Sequence, residues 1–165
     1  MQTYQDYLEE CVTLALDLDD ESVLFPADLY AAHQRTISMV RHKANELERE
    51  KFAEVSRKLQ KHAWENGEYL IRPAASQEEL IAEGKALHHC VGGYASRMAK
   101  GETAIFLIRK KEEPDKPFYT LEWKNKQVVQ CRTTNNQTYT LDESVSAFVS
   151  DWVKRMTPAT KKSVV

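Results

Sequence analysis

Phe118-Tyr119-Thr120-Leu121-Glu122-Trp123 alternates apolar and polar side chains, and past Lys124-Asn125-Lys126 a second run follows, Val128-Val129-Gln130-Cys131-Arg132. Period-two alternation marks strands with one face on a core, so the two runs predict a β-hairpin. On the first run Tyr119, Leu121 and Trp123 share a face opposite Thr120 and Glu122. A plain two-residue turn pairs Glu122 with Val129 and Leu121 with Gln130, mixing polar and apolar side chains on both faces. A three-residue connection, or a bulge, slips the pairing by one and separates them. The slipped register is therefore expected. It packs Tyr119, Leu121, Trp123, Val129 and Cys131 on helices and gathers Thr120, Glu122, Gln130 and Arg132 on one open or site-lining face.

Upstream, Ala104–Arg109 is a dense β-type run suited to a central strand. Tyr69-Leu70-Ile71-Arg72 is a short strand ended by Pro73, and Ser76 with Glu79 forms a capping box that opens a helix running to His88. Gly92-Gly93 is expected to break the chain before two helical turns in Tyr94–Lys100. Downstream, Asp142–Met156 reads as an amphipathic helix through Val145, Phe148, Val149, Trp152 and Val153. The start of the chain is helical. Tyr4, Tyr7, Leu8, Cys11, Leu14, Ala15 and Leu18 form one stripe, with a stop predicted where Asp17, Asp19 and Asp20 crowd the helix C-terminus. Pro26 suits the first turn of a second helix. From Ala27 to Asn66 no Gly or Pro intervenes, and a break within the charged run His42–Lys51, or an antiparallel pair, is expected. The fold class that emerges is α+β: a helical section over 1–66, then a three- or four-stranded antiparallel sheet flanked by helices over 67–157. A loose polar tail over 158–165 completes it.

Composition narrows the function. With 42% hydrophobic and 29% charged residues the chain is a folded globular type, and a net charge of −2 excludes a histone-like polymer binder. No stretch is long and apolar enough to span a membrane and no leader pattern opens the chain, so a cytoplasmic location without membrane partners is expected. Cys11, Cys90 and Cys131 are far apart and include no C-x-x-C pair, which argues against a disulfide framework or a zinc knuckle. No metal or cofactor is expected. Residues 1–66 carry a balance of −5 and residues 67–165 one of +3, so a basic face belongs to the second half.

Leu87-His88-His89-Cys90-Val91-Gly92-Gly93-Tyr94 is the most unusual stretch for chemistry. A thiol and imidazoles stand beside two glycines and a helix start, where amides and dipole favour a thiolate or an anion. The same residues also suit a packed junction, and consecutive side chains diverge too much to converge on one metal. Glu122 facing such a histidine would act as base or orient the ring; a solvated sheet face is the alternative. Arg109 begins Arg-Lys-Lys, commonly a solvated strand end. Gln127–Thr140 holds no acidic residue, and Arg132, Asn135 and Asn136 suit phosphate or base-edge contact, though amide-rich loops are also ordinary turns. His33 belongs to a packing stripe, while His42 and His62 are helix-surface residues. No Walker loop, G-x-G-x-x-G, G-x-S-x-G or H-E-x-x-H occurs.

Glu83-Gly84-Lys85-Ala86-Leu87-His88-His89-Cys90-Val91 with Tyr94 and Gly101 resembles the PcfJ-like family. So do Ile105–Arg109, Pro117–Glu122 and Val129-Gln130-Cys131-Arg132 leading to Asn135-Asn136; Thr133 stands where many relatives have Gly. The similarity covers roughly 68–155 and continues more loosely through Tyr7-Leu8 and Leu24–His33. The residues matching the family motifs are His88, His89, Cys90, Tyr94, Arg109, Thr120, Glu122, Gln130 and Asn136. The resemblance implies an origin on conjugative plasmids, prophages and related mobile elements, where the founding member accompanies the DNA-processing machinery of transfer. It brings no settled activity. The expected function is an accessory protein binding nucleic acid or a nucleoprotein partner at the His-His-Cys corner and hairpin. The candidate catalytic residues, His88, His89, Cys90 and Glu122, belong to an alternative, a Cys/His-dependent hydrolase or transferase on a phosphodiester or nucleotide. Tyr94, Arg109, Thr120, Gln130, Arg132, Asn135 and Asn136 are candidate binding residues. A third possibility is an anti-CRISPR-like inhibitor of a host nuclease.

Overall fold

Among the described residues five antiparallel strands form one sheet in the order of the sequence: β1 (Trp64–Glu65), β2 (Tyr69–Pro73), β3 (Ala104–Lys110), β4 (Tyr119–Lys124) and β5 (Gln127–Arg132). Among the described residues six helices accompany them: α1 (Gln2–Thr13), α2 (Glu21–Leu24), α3 (Leu29–Leu59), α4 (Gln77–Leu87), α5 (Ala95–Ala99) and α6 (Glu143–Met156). This computed structural model describes residues 2–89 and 91–158, so Cys90 and most of the expected tail lie outside the described residues. The chain divides into two units, Met1–Glu48 and Arg49–Val165.

The α+β class is as the alternation predicts, with one strand more than expected. That strand, β1, lies in the stretch without Gly or Pro that predicted helix up to Asn66. A 3-10 turn over Gln60–His62 follows α3 instead, and Trp64 pairs with Ile71 and stacks on Phe148, 5.1 Å between ring centroids. Tertiary packing outweighs local propensity there. The break expected in His42–Lys51 is absent, since α3 is one helix of 31 residues.

Within Met1–Glu48, Tyr7, Cys11 and Ala32 are the buried apolar residues among those described. Helix α1 stops at Thr13, before the aspartates, because Ala15 takes a left-handed φ of 54° and Leu16 N–H returns to the Cys11 carbonyl. Pro26 does not open α3; it follows α2, and Asp28 caps α3 through the Ala31 N–H. His33 is largely buried beside Glu10.

Within Arg49–Val165, strand register sorts side chains into two layers. The rows Ile71–Ile108–Tyr119 and Pro73–Phe106–Leu121–Cys131 face α6, whose Phe148 and Trp152 are buried among them. The rows Arg72–Leu107–Thr120–Arg132 and Ile105–Glu122–Gln130 face the other way. There Leu107 and Ile105 pack with Phe52, Leu80 and Met98 from α3, α4 and α5.

The hairpin resolves the register choice by a bulge. Asn125 and Lys126, both at positive φ, form the two-residue turn, and Lys124 pairs with Gln127. The pairing then shifts between Glu122 and Trp123, so Trp123 faces Val128 while Glu122 faces Gln130. The expected polar row is thereby formed, with one correction. Val129 is the extra residue and is 50% exposed, while Val128 packs on the core. We predict that Val129→Ser changes stability by less than about 0.5 kcal/mol. Val128→Ser is expected to cost about 1–2 kcal/mol. Urea unfolding of the two variants measures both.

Candidate functional site

The site is built on α4, which is fastened to the sheet along its length. Ser76 caps its start by accepting the Glu79 N–H. The Glu79 carboxylate accepts from Ala75 N–H and from Arg72 on β2, so the expected capping residue also ties helix to sheet. One turn on, Glu83 meets Arg109 of β3 in a two-pronged pair at 3.0 and 2.6 Å, both side chains almost fully buried. Arg109 is thus no solvated strand end. Its remaining Nε has no partner among the described residues.

The corner after α4 depends on Gly84. A Cβ there would meet the His89 carbonyl oxygen at 2.9 Å and the Gly92 nitrogen at 3.3 Å, so only glycine admits so close a backbone. His88 takes the left-handed cap position at φ 53°, its N–H and that of His89 both returning to the Gly84 carbonyl. The following glycines do not break the chain; Val91–Tyr94 is a 3-10 turn leading into α5.

The corner lies against the polar row of the hairpin, and between them is a recess of about 210 Å3. His89 and Tyr94 line it from the corner, Thr120 and Glu122 from β4, Gln130 and Arg132 from β5, with Asn136 following; Val91 and Ile105 give it apolar patches. Val91 N–H approaches His89 Nδ1 at 3.4 Å, and Nε2 lies 3.2 Å from Thr120 Oγ1, whose hydroxyl donates to Glu83 at 2.9 Å. Nδ1 accepting places the ring proton on Nε2, and a chain runs His89–Thr120–Glu83–Arg109. Burial lowers the His89 pKa, opposed in part by the Glu83 charge, so the ring is neutral at pH 7.

Glu122 is only 4% exposed. Its carboxylate accepts from Thr103 at 2.7 Å and from Gln130 at 3.3 Å, and no cation pairs with it among the described residues. The Gln130 amide also donates to Tyr94 Oη at 3.3 Å. Arg132 donates to the Asn136 carbonyl.

The structure therefore brings His89, Tyr94, Thr120, Glu122, Gln130, Arg132 and Asn136 together. It does not bring His88, which is exposed at the helix cap, nor Asn135, exposed at φ 55°, to the recess. Arg109 is buried behind the recess. Cys90 lies outside the described residues. The carboxylate linked to the imidazole is Glu83, not Glu122. Sequence reasoning passed over Glu83, although it sits in the Leu80–Gly84–Leu87 stripe, where a charged residue on an apolar face signals a buried partner. Among the described residues no cluster of His, Cys, Asp and Glu has a metal-binding arrangement, and no helix is long and apolar enough to cross a membrane.

A family profile described as PcfJ-like protein matches residues 3–149. The chain is 32% identical over 162 residues to the uncharacterized protein Lin1253/Lin1744 of Listeria innocua, covering 96% of this chain and 35% of that protein. It thus spans about a third of that relative's length. No solved structure matches.

Arg109→Met strands the Glu83 carboxylate and is expected to cost about 3–5 kcal/mol, much of it recovered in Arg109→Met with Glu83→Leu, as read by urea unfolding. Well above pH 6.5, the ordinary histidine value, both folded and unfolded chains hold His89 neutral. As pH falls through that value the unfolded chain takes up a proton that the folded one resists, so this contribution to stability is lost on acidification. Between about pH 7.5 and 5.5 the wild type is expected to lose more stability than His89→Gln. An NMR titration should place the His89 midpoint below the ordinary value.

Proposed function

The chain belongs to the PcfJ-like family, and we propose that it is an accessory protein of a mobile element that binds nucleic acid, free or in a nucleoprotein, through this recess. The observation that carries the reading is the composition of the recess: Arg132 and Asn136 beside an inner wall of Glu122, Gln130 and Tyr94. This pairs a phosphate-seeking cation with groups suited to base edges. Charge supports it. Residues 49–165 hold 20 basic and 15 acidic side chains, a surplus of +5 in the unit that contains the recess, against three and ten in residues 1–48. The mobile-element setting rests on the family kinship.

A hydrolase or transferase based on His89 draws less support from the same geometry. Nδ1 faces Val91 N–H and Nε2 faces Thr120, so no ring nitrogen is left to take a proton from a substrate.

Fluorescence anisotropy with a labelled single-stranded oligonucleotide tests the proposal. With two or three phosphates contacted, affinity should fall about 7- to 20-fold between 50 and 200 mM salt. Arg132→Ala should weaken binding and reduce the salt slope by about one phosphate, leaving the melting temperature unchanged. A flat salt response, or binding indifferent to Arg132→Ala, counts against the recess as the contact.

A further inference from the structure

We infer that the recess takes a single unstacked base carrying an exocyclic amino group, cytosine, adenine or guanine, and discriminates against thymine or uracil. This rests on the nucleic-acid reading above and adds the ligand's identity to it.

Size sets the first limit. At about 210 Å3 the recess is below the roughly 300–1,000 Å3 of pockets for drug-sized molecules, so one planar group enters and a base pair does not. Shape sets the second: Val91 and Ile105 offer apolar surface and Tyr94 an aromatic one, which suit the flat faces of a base.

Hydrogen-bonding character decides the class. Glu122 is a buried carboxylate whose only hydrogen-bond donors among the described residues are neutral, one of them the long Gln130 contact at 3.3 Å. A buried carboxylate is costly unless further donors or a cation answer it. The Gln130 amide nitrogen is divided between Glu122 and Tyr94, while its carbonyl oxygen accepts nothing among the described residues. The inner wall is thus rich in acceptors and calls for a ligand with N–H groups. Cytosine N4, adenine N6 and guanine N2 each present two hydrogens, and a carboxylate accepting from cytosine N4 is an established pairing. Thymine and uracil present one N–H between two carbonyl oxygens, and those oxygens would face the carboxylate and the Gln130 carbonyl. Arg132 and Asn136 stand close enough to this wall to line the same recess, leaving the attached phosphate a cationic contact.

Competition binding of the full 165-residue chain with homopolymeric dC, dA and dT oligonucleotides of equal length tests this without any variant. Binding to dC and dA should exceed that to dT by about tenfold or more. Glu122→Gln, nearly the same size and able to donate as well as accept, should shrink the preference to under about threefold while leaving the salt slope in place. Arg132→Ala should weaken all three polymers alike. Equal affinity for the three overturns the inference and leaves salt-dependent binding through the recess standing. Failure to bind any of them overturns the function proposed above and this inference with it. A preference unchanged in Glu122→Gln, with the melting temperature preserved, removes Glu122 as the reader of the base.

Discussion

The buried pair between Arg109 of β3 and Glu83 of α4 is the constraint on which the rest of the site depends. Taking both charges out of water is expensive, and such a pair adds little net stability over an apolar one. What it supplies is position. An arginine fork accepts a carboxylate in few orientations, so the two bonds fix where α4 sits along the sheet. The Glu83 carboxylate also receives the Thr120 hydroxyl, which lies against His89. One central carboxylate thereby aligns strand β3, strand β4 and the corner beyond α4. Gly84, the next residue, lets the corner fold back in backbone contact with the helix that carries Glu83.

The hairpin shows how far a sequence pattern reaches. Alternation on β4 and β5 required a one-residue slip, because no straight pairing separates the polar from the apolar side chains. The slip exists, and it places Thr120, Glu122, Gln130 and Arg132 in one layer. Which device produces the slip was not legible. A three-residue turn and a bulge satisfy the same pattern, and the bulge moves the exposed valine from 128 to 129. The motif after α4 was legible as unusual, but not for the reason its residues suggested. His88 is spent on a left-handed helix cap and Gly92-Gly93 on a 3-10 turn, so of the described residues in the His-His-Cys run only His89 reaches the recess.

What the sequence hid has a common physical origin, namely partners distant along the chain. Arg109 looks solvated beside two lysines, and only its pairing with a residue 26 positions earlier buries it. Glu83 carries a signal, a charge on the apolar Leu80–Leu87 face, but not the identity of its partner, which comes from a distant strand. β1 lies in a stretch without Gly or Pro that read as helix, yet Trp64 leaves the helix to stack on Phe148, a partner from the last helix. Helix ends went astray for a local reason instead. Ala15 at positive φ lets α1 turn off four residues before Asp17, the first of the aspartates that were expected to stop it.

The two buried carboxylates on this layer of the sheet invite comparison, because they have been treated oppositely. Glu83 is neutralised by a guanidinium held in two bonds and further satisfied by a hydroxyl. Its three bonds all come from within the protein, and its removal would be felt as lost stability. Glu122, hardly more exposed, is met by a threonine and a shared amide, both neutral, and it opens on a recess instead of a packed helix. A purely structural carboxylate at that position has no evident advantage over the glutamine or leucine that would fill the same space without the desolvation cost. Retaining the charge makes physical sense where a ligand supplies the missing donors, and the Gln130 carbonyl beside it, without a donor among the described residues, points the same way. The carboxylate locked to Arg109 and the carboxylate facing the recess are thus distinguished by what surrounds them, although the sequence writes both with the same letter.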